Sequence, residues 1–238
     1  MTLDPLLLTG DVDDATARLL RTAATFDAAD LAAPSLLPGW SRGHVLTHVC
    51  RNADGFVNLL TSARTGAPIP MYASAAARTA DIEAGAARAS EEHLDDLRRS
   101  ADRFAEAVAA MPVSAWGANV ETRHGSRPAA LLVWGRLREL EIHHVDLAAG
   151  YRHTDWAPDF GHRLLHEVTS GFADRSDVPA MVLRFDGSGH ELVLGDRVQA
   201  PVVAGSAAEL AAWLTGRDPG TTLTVTPDGQ LPRPPEWI

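Results

Sequence analysis

Two short stretches, His44-Val-Leu-Thr-His48 and Glu139-Leu-Glu-Ile-His143, constrain this 238-residue chain more than anything else in it. Each sets metal-capable side chains four residues apart, and on an α-helix that spacing stacks them on one face, one turn above the other. A His from one helix and a Glu/His pair from another make three protein ligands. Three leave a coordination position open, as in a catalytic zinc site rather than a closed structural one. The fold must then face two helices toward each other, and helix bundles build metal sites in this way from inward side chains.

The individual residues are weighed by position. His44 falls in the first turn of its helix, where an imidazole commonly bonds loop groups, whereas His48 lies a full turn deeper and can be held rigidly. His48 is therefore favoured as the ligand, with His44 in a supporting role. On the later helix Glu139 and His143 share a face with Arg136 and Asp146. Glu141 points about 160° away from it and His144 is rotated by about 100°, which takes both off that face. The competing reading of Glu139 and His143 is a solvated i,i+4 pair with no metal.

Composition removes several function classes. A net charge of -10 argues against a nucleic-acid partner, since phosphate binding needs a basic face. No apolar run approaches a membrane span, and Pro5-Leu6-Leu7-Leu8 lacks the basic flank of a signal peptide. The single cysteine, Cys50, permits no internal disulfide and fits a reducing cytoplasm; it reads as a small buried apolar residue rather than a ligand. All 21 basic residues are arginine. That excludes lysine Schiff-base chemistry and the lysine of a phosphate-binding loop, and leaves the planar arginine fork for any carboxylate substrate.

Along the chain, residues 11–29 read as an amphipathic helix, and Ser41 caps a second running to about Arg64. Residues 73–111 are helical with a break near Gly85, residues 112–127 read as loop, and a further helix spans residues 129–149, closed by Gly150. Four long helices predict a four-helix bundle. After it come a helix at 158–174, strands at 181–185 and 191–194 joined by the turn Asp186-Gly-Ser-Gly189, a strand at 198–203, a helix at 207–214 and a strand at 223–225. The expected class is α+β, with a helical metal-binding domain over 1–152 and a smaller α+β domain over 153–238.

At these residues the chain resembles the mycothiol-dependent maleylpyruvate isomerase family. The resemblance is carried by Pro38-Gly-Trp-Ser-Arg-Gly-His-Val-Leu-Thr-His48, Arg51-Asn-Ala-Asp54, Pro70-Met-Tyr72, Ala80-Asp-Ile-Glu-Ala-Gly85 and Arg136-Leu-Arg-Glu-Leu-Glu-Ile-His-His-Val-Asp146. In the C-terminal part it is carried by Leu194-Gly-Asp196 and the run from Ala204 to Arg217. It implies a DinB-like helical bundle, zinc held by His48, Glu139 and His143, and a functional arginine at Arg217, which nothing in the periodicity would single out. The protein supplies no suitable cysteine, so the thiol must come from a cofactor, and the resemblance implies mycothiol. The implied reaction is the cis-trans isomerisation of maleylpyruvate to fumarylpyruvate, a step of gentisate degradation in aromatic catabolism. Thiolate adds to the cis double bond, the resulting single bond rotates, and elimination leaves the trans product. A monomeric cytoplasmic enzyme is expected. The alternatives are a mycothiol S-transferase acting on other electrophiles and a non-catalytic binding module with a structural metal.

Overall fold

Caps and glycines set the limits of the helices in the first of two units, Met1–Ala149 and Gly150–Ile238. This is a computed structural model, and it describes residues 4–122, 125–173, 175–185, 187, 189–198 and 200–237. A 3-10 turn over Pro5–Leu8 leads into α1 (Thr9–Ala23). The helix expected over 11–29 is broken there. Asp27 accepts the Asp30 backbone N–H at 2.8 Å while Asp30 accepts that of Asp27 at 3.2 Å, so the two start a separate short helix, α2 (Ala28–Ala32).

Ser41 caps α3 (Arg42–Thr65), which ends at Gly66 in the left-handed region at φ 73°. Ser74 caps α4 (Ala75–Ala86), and α5 (Ser90–Ala109) follows the break near Gly85. The stretch read as loop contains a two-stranded hairpin, β1 (Asn119–Thr122) and β2 (Gly125–Pro128). Its residues are nearly all polar, and only Val120 is buried, so alternation gave no signal. The unit's last helix, α6, spans Leu131–Asp146.

α1, α3, α5 and α6 pack as a bundle: α3 against α5 and α6, α1 against α6 and α5. Leu19, Leu46, Leu59, Leu60 and Leu140 are fully or almost fully buried in its core. Each contributes roughly 1.5–3 kcal/mol relative to exposure. α4 lies close across α3. A Cβ on Gly43 would stand 2.1 Å from the Ala86 carbonyl oxygen, and one on Gly85 2.4 Å from Thr47 Cγ2. Only glycine permits that approach, which seats the last turn of α4 against the first two turns of α3.

In the second unit α7 (Pro158–Phe172) precedes β3 (Met181–Phe185), β4 (His190–Leu194), β5 (Val202–Gly205), α8 (Ala207–Leu214) and β6 (Thr224–Thr226). The sheet order is β4-β3-β5-β6, with β3 and β5 parallel and both outer pairs antiparallel. α7 packs on α8, and Leu164, Leu165, Met181 and Leu210 are wholly buried. The strand expected from Val198 begins only at Val202; Val198 is 76% exposed. Residues 186 and 188 of the expected turn, 174 of the expected helix and 199 of the expected strand lie outside the described residues. Among the described residues no helix is long and apolar enough to cross a membrane.

Candidate metal centre

The second turn of α3 and the last two turns of α6 meet at three side chains. Nε2 of His48 lies 3.0 Å from Nε2 of His143 and 3.2 Å from Oε2 of Glu139. The His143 Nε2 to Glu139 Oε2 distance is 3.3 Å. These three are the one group of at least three potential metal ligands among the described residues. Their side chains are 7%, 13% and 15% exposed, so the cluster is sheltered yet reachable.

The donor set fits a tetrahedral divalent ion. Ligand atoms about 2.0–2.1 Å from zinc stand roughly 3.3–3.4 Å apart, close to the spacings observed. Nε2 and Oε2 are the atoms that converge, and each side chain is braced from behind. Asp146 Oδ2 lies 2.8 Å from Nδ1 of His143, the carboxylate–histidine support usual behind a metal-bound imidazole. Arg138 sits 3.6 Å from the other oxygen of Glu139. The Trp40 ring meets His48 edge-on at 5.6 Å.

Electrostatics agree with a cation among these groups. Burial opposes ionisation of Glu139, but hydrogen bonds and charge from His143 and His48 outweigh it and hold the carboxyl well below its ordinary value. Burial likewise opposes a charge on His143, yet the Asp146 and Glu139 carboxylates raise it to about 9. For His48, burial and the neighbouring His143 prevail and lower it to about 4, which leaves its nitrogen free to coordinate.

The remaining candidates fall elsewhere. Nδ1 of His44 lies 2.8 Å from Ser41 Oγ in the α3 capping box, and its Nε2 lies 3.2 Å from Glu83, outside the three-residue cluster. Glu141 faces α1, where it takes a 2.5 Å hydrogen bond from Arg18, and His144 Nε2 lies 2.8 Å from Thr22 Oγ1. Arg217 lies in the second unit just after α8, half-buried, with Nη1 donating to the Thr215 carbonyl at 2.7 Å. Cys50 is wholly buried, and burial first, then the Asp96 charge, push its thiol up to about 12. A cavity of about 610 Å³ between α1 and α5 is lined by Phe104, Val108 and Arg136 but by none of the three donors.

The residue that sequence reasoning missed is Arg78, in the first turns of α4, whose Nη2 lies 3.1 Å from Nδ1 of His48. No local spacing links the two positions; the close α3–α4 crossing does.

Fold and site together define a two-unit α+β enzyme with a candidate metal centre in its helical unit. Residues 12–148 match the mycothiol maleylpyruvate isomerase N-terminal domain, and residues 155–236 match the C-terminal domain of the same family. The chain belongs to that family. Two solved structures are similar over nearly their whole length: the mycothiol-dependent maleylpyruvate isomerase and a histidine-to-alanine mutant of it. Each is 29% identical with a TM-score of 0.92, covering 99% of this chain and 98% of the other. No curated protein sequence matches.

Proposed function

We propose that this protein is a zinc- and mycothiol-dependent maleylpyruvate isomerase, acting in the cytoplasm and converting the cis acid to fumarylpyruvate. The observation that carries the reading is the convergence of His48, Glu139 and His143 within 3.0–3.3 Å, in a chain whose two halves both match the isomerase family. Zinc held there by His48, Glu139 and His143 would supply the positive charge that favours a thiolate at neutral pH, and mycothiol would supply the sulfur nucleophile.

The chain's own residues do the rest. Glu139 and the two imidazoles hold the ion, and Asp146 keeps the His143 ring oriented through Nδ1. Cys50 cannot substitute for mycothiol, because a buried thiol raised to about 12 is protonated at neutral pH and closed to substrate. Arg217 is assigned a substrate carboxylate or the developing enolate, a task suited to its fork.

Purified zinc-loaded protein should isomerise maleylpyruvate only when mycothiol is added, and Cys50→Ser should stay active. Arg217→Ala should keep its zinc while catalytic efficiency falls about 30- to 1,000-fold, the equivalent of roughly 2–4 kcal/mol. Turnover without any added thiol, or an unimpaired Arg217→Ala, would refute this account.

A further inference from the structure

Arg78 stands at the candidate metal centre as a cation with no anion. Its Nη2 meets only Nδ1 of His48, at 3.1 Å, and its buried Nε has no hydrogen-bond partner. No carboxylate lies within ion-pair distance of it among the described residues, although Glu83 sits on the same helix; Glu83 pairs with His44 instead. The guanidinium is also kept at the site by the Tyr72 ring, whose centroid lies 5.7 Å away. A half-buried arginine whose one hydrogen bond goes to a neutral ring is unusual, because guanidinium gains most from carboxylate or phosphate.

Arginine offers donors and no acceptor, so Nδ1 of His48 takes one of its hydrogen bonds but does not answer its charge.

We propose that Arg78 is the anion-binding cation of this centre, taking a carboxylate of the substrate. The assignment rests on the zinc and isomerase reading above. It gives a dicarboxylate substrate a charged anchor within the helical unit itself, in addition to the role assigned to Arg217.

The test titrates zinc-loaded protein with maleate, a cis-dicarboxylate that is inert here without a thiol, and measures zinc content in parallel. Arg78→Gln should keep its zinc and bind maleate roughly 10- to 100-fold more weakly, the size expected for losing a charge-assisted contact. Arg78→Lys, which retains the charge but not the fork, should fall between that variant and the wild type. In turnover with mycothiol the loss should appear mainly as a raised KM. Unchanged maleate affinity in Arg78→Gln would overturn the proposal. So would loss of zinc, which would make Arg78 a support for His48 instead. The titration needs no turnover, so an inactive wild type would count against the isomerase reading while the Arg78 result is still read from affinity.

Discussion

Helix α6 buries two Glu/His pairs on two faces, and their fates differ. Glu139 and His143 turn toward α3, where a third donor, His48, closes to within 3.3 Å. Glu141 and His144 turn toward α1, where Arg18 bonds the carboxylate and Thr22 lies within hydrogen-bond distance of the imidazole. Residue types are the same on both sides, but Glu139 and His143 stay partly exposed while Glu141 and His144 are buried. On the α1 face an arginine answers the carboxylate and a hydroxyl answers the imidazole, and nothing is left over to bind an ion. On the α3 face three ligating atoms point at one another, which is stable only with a cation between them, whether proton or metal. Convergence of three ligating atoms, not the presence of Glu and His, marks the candidate centre.

The sharpest way to break the comparison is to remove donors from the α3 face. His48→Ala and Glu139→Gln should each lose most of the bound zinc, because either change leaves two protein ligands. Activity should fall by about 1,000-fold or more, in line with an interaction on which the chemistry depends. Metal analysis with isomerase assay checks both, and full zinc retention in either variant would show that the ion is held elsewhere.

How much of this was legible in the sequence follows from what each feature depends on. Caps are local, so Ser41 and Gly66 marked the limits of α3 directly, whereas the helix expected to run to 149 and close at Gly150 already ends at Asp146. The donors were legible because a spacing of four fixes a face regardless of the fold, and Asp146 lay on that same face of α6. Arg78 was not, since its place beside His48 comes from α4 crossing α3 at Gly43 and Gly85, a tertiary fact. The hairpin over 119–128 was missed because its strands are short and nearly all polar. The break after Ala23 was missed because the Asp27–Asp30 capping box looked like acidic helix surface.

A second prediction sharpens the comparison through pH. In metal-free protein His143 binds its proton up to about pH 9, against an ordinary value of 6.5, because Asp146 and Glu139 outweigh its burial. Between pH 6.5 and 9 the folded chain therefore holds a proton that the unfolded chain has released. The stability it contributes is full below 6.5 and is lost as pH rises through 9, by about 3 kcal/mol. Thermal melts in a chelator should show that alkaline decline. With zinc saturating, the metal replaces the proton and the decline should flatten. An equal decline with and without zinc would separate His143 from the metal.

His144→Ala tests the α1 face and should leave the zinc in place. It removes a buried ring and its hydrogen bond with Thr22, so a stability loss of about 2 kcal/mol is expected from the cavity and the lost partner. Denaturant unfolding measures it. Zinc loss in this variant would mean that the two faces are not independent.

The smallest expected effect comes from Glu141→Gln, which makes on the α1 face the same change that Glu139→Gln makes two residues earlier. Breaking a fully buried ion pair by removing one charge costs several kcal/mol. Here the Arg18 side chain is 35% exposed, so water compensates much of its charge, while the amide oxygen of glutamine still accepts its hydrogen bond. A stability loss of about 1 kcal/mol is therefore expected, with zinc content and isomerase activity near wild type. The two substitutions are chemically identical and share a helix, and they differ only in what faces the carboxylate. If Glu141→Gln lost zinc or activity as severely as Glu139→Gln, the contrast between an acid paired with α1 and an acid turned into the donor cluster would fail as a guide to this site.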